Sequence, residues 1–198
     1  MKAMVLKQIC SIRENKRPLD LVQLPRPVPN GGEILVKVST CGVCHTELDE
    51  IEGRTPPPYL PMVLGHQIVG HVVRAGAEAQ RFKIGDRVGI AWIFKACGYC
   101  DHCSNGYENL CEQFKATGRD AFGGYAEYTT VSENFAHKIP DLYTDSQAAP
   151  LLCAGAIGYR SMHLTGIRDG YHLGLTGFGA SAHLVQKIVA HKYPNTRV

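Results

Sequence analysis

The sequence predicts a β-rich domain followed by the opening strand, turn and helix of an α/β domain. Short β-type runs separated by glycine and polar turns fill the first 140 residues, and a helical stretch begins near residue 145. An apolar strand, a glycine turn and an apolar-periodic helix then follow between residues 173 and 190. Together, these observations predict a mixed α+β and α/β architecture.

Alternating apolar residues mark the strands of the first part. Residues 33–38 place Ile34, Val36 and Val38 on one side of an extended segment. Further runs of this kind are 68–73, 87–90 and 125–131. Three consecutive prolines at 56–58 predict a loop, because proline cannot donate a hydrogen bond to a helix or a sheet.

The second part changes character after residue 145. Asp145 or Ser146 is expected to cap a helix that runs to Met162, and residues 173–176 and 182–190 then form a strand and a helix. The sequence stops where a second parallel strand is expected, so the βαβ unit is unfinished. We therefore expect the apolar face of the last helix to remain exposed and the chain to self-associate; that face carries Leu184, Ile188 and Val189.

Composition and charge exclude several classes of partner. Apolar residues make up 44% of the chain, and 21 basic and 18 acidic residues leave a net charge of only +3. Nucleic acids and anionic membranes require a concentrated basic surface, so neither is expected as a partner. No run approaches the roughly 20 apolar residues of a membrane span, and the first residues lack the pattern of a secretory signal. We expect a cytoplasmic protein.

Four cysteines in one short loop predict a closed metal site. They are Cys97, Cys100, Cys103 and Cys111. Zinc accepts four sulfur ligands at about 2.3 Å, and short spacers let neighbouring cysteines converge. With all four positions filled by protein, no position remains for a substrate, so the role of this site would be structural. Two thiol-based alternatives, an iron–sulfur cluster and four unrelated thiols, remain open.

Neighbouring residues weigh against two rival interpretations of this loop. An iron–sulfur run of the bacterial type has three residues and a proline around its fourth cysteine, whereas Cys111 follows after seven residues and precedes Glu112. A zinc-ribbon nucleic-acid binder needs basic residues, but the loop holds Asp101 and Glu108, with Lys95 alone as a strong base nearby.

Five further motifs accompany the cysteine loop. They are Cys44-His45-Thr46, Gly65-His66, Gly85-Asp86-Arg87-Val88, Gly123-Gly124-Tyr125-Ala126-Glu127-Tyr128 and Leu152-Cys153-Ala154-Gly155. With them, the sequence resembles the amino-terminal part of a zinc-dependent alcohol dehydrogenase of the medium-chain dehydrogenase/reductase family. The resemblance implies a GroES-like catalytic domain over 1–153, with a structural zinc lobe at 95–112. A linker helix and an incomplete Rossmann nucleotide-binding domain over 154–198 would follow.

The resemblance also implies a second, catalytic zinc, and therefore two zinc ions per chain. Cys44, His66 and Cys153 would bind it and leave a fourth position open for a substrate oxygen. Thr46 would pass on the substrate proton, and Asp49 stands where many members have the histidine that ends this relay. Taken singly, each residue has a plainer alternative, such as a loop histidine, a buried thiol or a turn cap.

The glycine turn suggests a coenzyme. Gly177, Gly179 and Ala182 form a G-x-G-x-x-A pattern between a strand and a helix, which suits a pyrophosphate at the helix N-terminus. A plain glycine turn is the alternative. The resemblance implies NAD or NADP and adds His45 to the coenzyme contacts.

Three residues depart from the family pattern close to these sites. Gln67 replaces a carboxylate beside the zinc, Asp49 replaces the relay histidine, and Glu47 replaces a shorter aspartate. The expected function is nevertheless the interconversion of a small alcohol and its aldehyde or ketone by a homo-oligomer, a dimer or tetramer. The alternative is a truncated, zinc-stabilised chain that oxidises no alcohol and serves at most in binding or assembly.

Overall fold

Strands dominate the first of the two units into which the chain divides. The computed structural model describes residues 1–198, and their contacts separate Met1–Ala149 from Pro150–Val198. All ten strands belong to the first unit. None of the helices combines the length and the apolar character that a membrane crossing requires.

A five-stranded antiparallel sheet forms the main core of the first unit. Its order is β10 (Ala136–Lys138), β6 (Arg87–Ile90), β5 (Ile68–Ala75), β3 (Glu33–Cys41) and β9 (Tyr128–Ser132). Ile34 and Val36 of β3 are completely buried, as the sequence predicted, but Leu35 between them is also buried and Val38 is half-buried, so the predicted alternation is only partial. The strand predicted at 125–131 begins only at Tyr128. Its earlier part pairs elsewhere, because the N–H of Tyr125 donates to Leu64 and its carbonyl accepts from Met4.

Two smaller sheets complete this unit. One has the order β2 (Leu19–Gln23), β1 (Lys2–Leu6) and β4 (Met62–Val63). The other pairs β7 (Ile93–Lys95) with β8 (Lys115–Ala116). The three-stranded sheet supports helix α1 (His45–Ile51), because Ile51 is buried against Leu6 and Met62. This packing holds the start of α1 beside the segment that follows β4.

The helix predicted from residue 145 to Met162 is broken in the structure. It begins as α3 (Asp145–Ala148), continues as a 3₁₀ turn over Ala149–Leu152 and resumes as α4 (Ala154–Leu164). Pro150 has no N–H to donate, so a continuous α-helix is disfavoured there. The cap is also different from the prediction, because the Thr144 hydroxyl, and not Asp145 or Ser146, accepts a hydrogen bond from the N–H of Gln147.

The second unit consists mainly of α4 and α5 (Ala180–Lys192). Their contact buries Met162, Val185 and Val189. The expectation that the apolar face of α5 stays exposed is wrong for Val189, because α4 covers it. Leu184 and Ile188, the other residues of that face, are half-buried.

The strand predicted at 173–176 forms no ladder. A single parallel bridge joins His172 to Arg197, and the N–H of Leu173 donates to the carbonyl of Arg197 at 2.8 Å. One bridge does not satisfy the definition of a strand, so this segment is extended without being part of a sheet.

Gly123 passes against the loop that leads to His66, and this close approach generates a prediction. A Cβ atom at residue 123 would lie 2.6 Å from the carbonyl oxygen of Leu64 and closer still to that of Gly65. We expect Gly123→Ala to lower the free energy of unfolding by about 2 kcal/mol or more. Gly32→Ala is the matched control, since no atom lies within 4 Å of its Cβ position. In urea unfolding, equal stabilities of the two variants would contradict this account.

Candidate metal centres

The four-cysteine loop connects β7 to β8. Helix α2 (Asp101–Ser104) and a 3₁₀ turn over Glu108–Leu110 lie within it. Gly98 and Gly106 adopt positive φ angles of 83° and 74°, which residues with a Cβ rarely do, and so allow the chain to reverse between cysteines. Cys103 and Cys111 are buried by these turns.

The sulfur atoms of this loop have the spacing of a tetrahedral ligand set. All four lie within 4.8 Å of one another, and those of Cys97 and Cys103 are 3.8 Å apart. Four sulfurs at about 2.3 Å from a zinc ion stand about 3.8 Å from each other. None of the eight cysteines is in a disulfide, whose sulfurs would be about 2.05 Å apart. The loop therefore fits a closed, four-coordinate zinc site.

Backbone N–H groups stabilise thiolates in this loop. Hydrogen bonds from Tyr99 and Cys100 lower the pKa of Cys97 to about 6. The N–H of Cys97 in turn points to the sulfur of Cys111 at 3.5 Å. Burial raises the pKa of Cys103 to about 12, and a bound cation would favour the thiolate form of both Cys97 and Cys103. The geometry and the charge of the loop therefore suit a metal ion.

A buried contact between a glutamate and a histidine lies beside the second predicted ligand set. Nδ1 of His66 is 2.7 Å from Oε1 of Glu47, and the two side chains are 1% and 3% exposed. Oε2 of Glu47 accepts the N–H of Cys44 at 2.7 Å. A carboxylate on Nδ1 orients an imidazole so that Nε2 is its ligand atom. Glu47, which is one methylene longer than the aspartate of the family pattern, therefore still contacts the histidine ring.

The first unit brings together Cys44, His66 and Thr46. The sulfur of Cys44 and a ring nitrogen of His66 lie within 4.8 Å of each other, and the Thr46 hydroxyl is 3.5 Å from that sulfur. Gly65, at a φ of 96°, turns the chain immediately before His66. Trp92 packs edge-on against the histidine ring at 5.0 Å between centroids.

The remaining predicted ligand, Cys153, belongs to the second unit. It is the N-cap residue of α4 and is half-buried. Its N–H donates to the carbonyl of Pro150, and its own carbonyl accepts from Ile157 at 2.9 Å. These backbone bonds fix the residue at the end of the 3₁₀ turn.

Asp49, at the predicted end of the proton relay, pairs with an arginine. The Arg54 guanidinium pairs with Asp49 and also contacts Glu52 at 2.7 Å. His45, the first residue of α1, is exposed. Gln67 is buried beside Gly42, whose N–H donates to the Gln67 carbonyl at 2.9 Å. The neutral amide of Gln67 therefore occupies a position enclosed by protein.

Several residues around the site were not anticipated from the sequence. They are Glu50, Arg54, Trp92, Arg119 and Tyr125. Burial and the nearby charge of Glu47 raise the pKa of Glu50 to about 8. Helical spacing was an available signal, because residues three apart lie on one face and Glu47 and Glu50 are both buried. Trp92 stands in none of the motifs, and Tyr125 belongs to the motif at 123–128, which assigned it no role at the site.

The glycine turn of the second unit is open. Gly177 has a φ of 84°, and Gly179 is the N-cap of α5. No atom lies within 4 Å of a Cβ built on either glycine, and no side chain caps the helix. The uncapped N–H groups of the first turn suit a phosphate. Ala182, the third position of the pattern, is half-buried one turn into α5.

Comparisons with known proteins agree with this arrangement. A family model described as the alcohol dehydrogenase GroES-like domain matches residues 30–141. A probable alcohol dehydrogenase of Mycobacterium tuberculosis is 49% identical over 178 residues, which cover 86% of this chain and 51% of that protein. An alcohol dehydrogenase of Geobacillus stearothermophilus is 40% identical over 185 residues, 93% of this chain and 53% of its own length.

A solved structure extends the similarity to the fold of the whole chain. A crystal structure described as an NAD-dependent alcohol dehydrogenase superposes with a TM-score of 0.89 and is 26% identical, covering 100% of this chain and 57% of its own. The chain thus spans about half the length of the relatives that it matches. Because the family model covers more than half of the residues, the chain belongs to the zinc-type alcohol dehydrogenases with a GroES-like domain.

Proposed function

We propose that this protein is a zinc-dependent alcohol dehydrogenase that interconverts an alcohol and its aldehyde or ketone with NAD or NADP. The buried Glu47–His66 pair beside Cys44 carries the proposal, because it presents an oriented imidazole and a cysteine sulfur together. The relatives named as alcohol dehydrogenases support the substrate class. The open glycine turn at Gly177 and Gly179 supports the coenzyme.

Two zinc ions per chain are proposed, with separate roles. The four-cysteine loop would hold one of them as a structural ion. Cys44, His66 and Cys153 would hold the other, since two thiolates and one imidazole are ligands that zinc prefers. A three-residue set leaves one position for a substrate oxygen.

The chain's own residues would organise the proton transfer. Zinc at this site would supply Lewis acidity, and the coenzyme would accept the hydride that leaves the alcohol carbon. The Thr46 hydroxyl, beside the Cys44 sulfur, would accept the proton of the substrate hydroxyl at Oγ1 and pass its own proton towards solvent. Asp49, paired with Arg54, is proposed to end this path as a carboxylate.

We also propose how the chain divides into domains. Residues 1–153 would form the catalytic domain, with the zinc lobe at 95–112, and residues 154–198 the linker helix and the beginning of the nucleotide-binding domain. The break in helical geometry at Cys153 supports this boundary, which lies four residues beyond the end of the first unit at Ala149. A cytoplasmic homo-oligomer remains our prediction for the protein, and His45 would contact the coenzyme.

Zinc content distinguishes the two sites. We expect purified protein to contain two zinc ions, Cys44→Ser to contain one and fold normally, and Cys103→Ser to fold poorly, because a structural zinc contributes folding free energy directly. Elemental analysis and thermal unfolding measure both properties. A content of one zinc that is unchanged by Cys44→Ser would rule out the second site.

Glu47 tests the orienting contact. We expect Glu47→Gln and Glu47→Ala to weaken metal binding at the Cys44 site by about 10- to 100-fold, as removal of a carboxylate behind a ligating histidine typically does. Glu14→Ala, at an exposed position, is the control. Chelator competition with Co²⁺ measures the affinity. Unchanged binding in both Glu47 variants would contradict the role of this pair.

Alcohol oxidation tests the proposed activity. We expect the complete gene product to reduce NAD or NADP in the presence of an alcohol, and Thr46→Val to lower kcat by about 100-fold or more, since a proton-transfer group is lost. Zinc content should not change. Thr55→Val, at an exposed loop position, should retain full activity. A Thr46→Val enzyme with normal kcat would exclude the relay through this hydroxyl.

A further inference from the structure

Helix α1 carries two buried glutamates one turn apart, and their surroundings differ. Glu47 has two partners, the N–H of Cys44 and Nδ1 of His66, each at 2.7 Å. Glu50 is 0% exposed, and neither of its carboxylate oxygens has a hydrogen-bond partner. An ionised carboxylate is costly to bury without donors, so the two acids cannot be equally charged.

The other groups of α1 oppose a charge on Glu50. The negative charges of Glu47 and Asp49 both act on it. It also lies in the last turn of the helix, where the helix dipole gives a partial negative charge. Each of these effects favours the neutral carboxylic acid.

The elements packed against α1 do not offset this effect. Arg119 attracts a negative charge on Glu50, but its guanidinium pairs with Asp120 at 2.7 Å and lies over the Trp92 ring. Asp120 itself repels such a charge. The Tyr125 hydroxyl is buried and has no hydrogen-bond partner, and the charges of Glu47 and Glu50 both raise its pKa after burial does.

We propose that Glu50 is a positioning residue that holds a proton within the buried cluster, so that the single negative charge of the pair stays on Glu47 against His66. This inference rests on the proposed metal centre, because His66 is one of its ligands. Two carboxyl groups in contrasting surroundings commonly separate into one charged and one neutral group. Here the surroundings differ because Glu47 accepts the N–H of Cys44 and contacts the His66 ring, whereas no donor reaches Glu50.

A definite pH dependence follows. Burial first, and the charge of Glu47 second, raise the pKa of Glu50 from 4.5 to about 8. Between these two values the folded protein keeps a proton that the unfolded chain has released. Stability due to this group is therefore lost as the pH rises from about 4.5 to about 8 and changes no further above that.

Glu50→Gln, which replaces the acid by a neutral group of the same shape, provides the test, with exposed Glu14→Gln as the control. Infrared difference spectra at neutral pH should show the C=O band of a protonated carboxyl group in the wild type and in Glu14→Gln, but not in Glu50→Gln. In thermal unfolding, the Tm of the wild type should fall relative to that of Glu50→Gln between about pH 4.5 and pH 8. No such band, or a Tm difference independent of pH, would overturn the inference.

Metal binding tests the positioning role. Co²⁺ affinity is measured by chelator competition for the wild type and for Glu50→Gln. The same measurement on each protein with Cys44→Ser added is subtracted, so that only binding at the Cys44 site remains. Wild type and Glu50→Gln should bind equally below about pH 7, where both side chains are neutral, and their affinities should differ several-fold above about pH 9, where only the wild type carries a second negative charge beside Glu47. An affinity ratio that does not change with pH would overturn the role. Absence of Co²⁺ binding at Cys44, with the infrared band retained, would instead reject the proposed function and the positioning role with it.

Discussion

The contact between Glu47 and His66 is the constraint on which the rest of the first unit depends. It joins the start of α1 to the segment after β4, and both partners are almost completely buried. Such a contact requires the two backbones to be held at a fixed separation. The packing of Ile51 on Leu6 and Met62 fixes one side, and the close approach of Gly123 to Gly65 fixes the other. Apolar packing and glycine contacts thus position a polar pair.

The cysteine loop is held together by interactions other than apolar packing. It contains few large apolar side chains, and Tyr99 and Leu110 are exposed, so packing alone cannot hold it. Its turns are instead fixed by positive φ angles at Gly98 and Gly106 and by N–H groups that point to sulfur. Sulfur atoms already at tetrahedral spacing suit a metal ion in place of an apolar core.

Short-range patterns were sufficient to predict some elements but not others. The strand at 33–38 and the convergence of the four cysteines depend only on neighbouring residues, and both are seen in the structure, whereas the zinc ion between the cysteines stays a prediction. The break at Pro150 and the burial of Val189 depend on competition between segments, so periodicity alone missed them. Arg54 was missed for the same reason, since its pairing with Asp49 follows from the turn that ends α1. The predicted ligands came from motifs, whereas Glu50 is notable only once its burial is known.

The acidic residues in and after α1 differ in burial and therefore in how easily they carry a charge. This difference helps to explain why glutamine replaces the carboxylate of the family pattern at residue 67. The exposed or half-exposed carboxylates, Asp49 and Glu52, share the Arg54 guanidinium. Inside, Gln67 is neutral, and Glu47 accepts the N–H of Cys44 and contacts His66, whereas no donor reaches Glu50. Residue 67 follows His66 and is itself buried, so an ionised carboxylate there would need hydrogen-bond donors of its own. A neutral glutamine beside His66 is therefore consistent with a helix that buries two glutamates on its inner face.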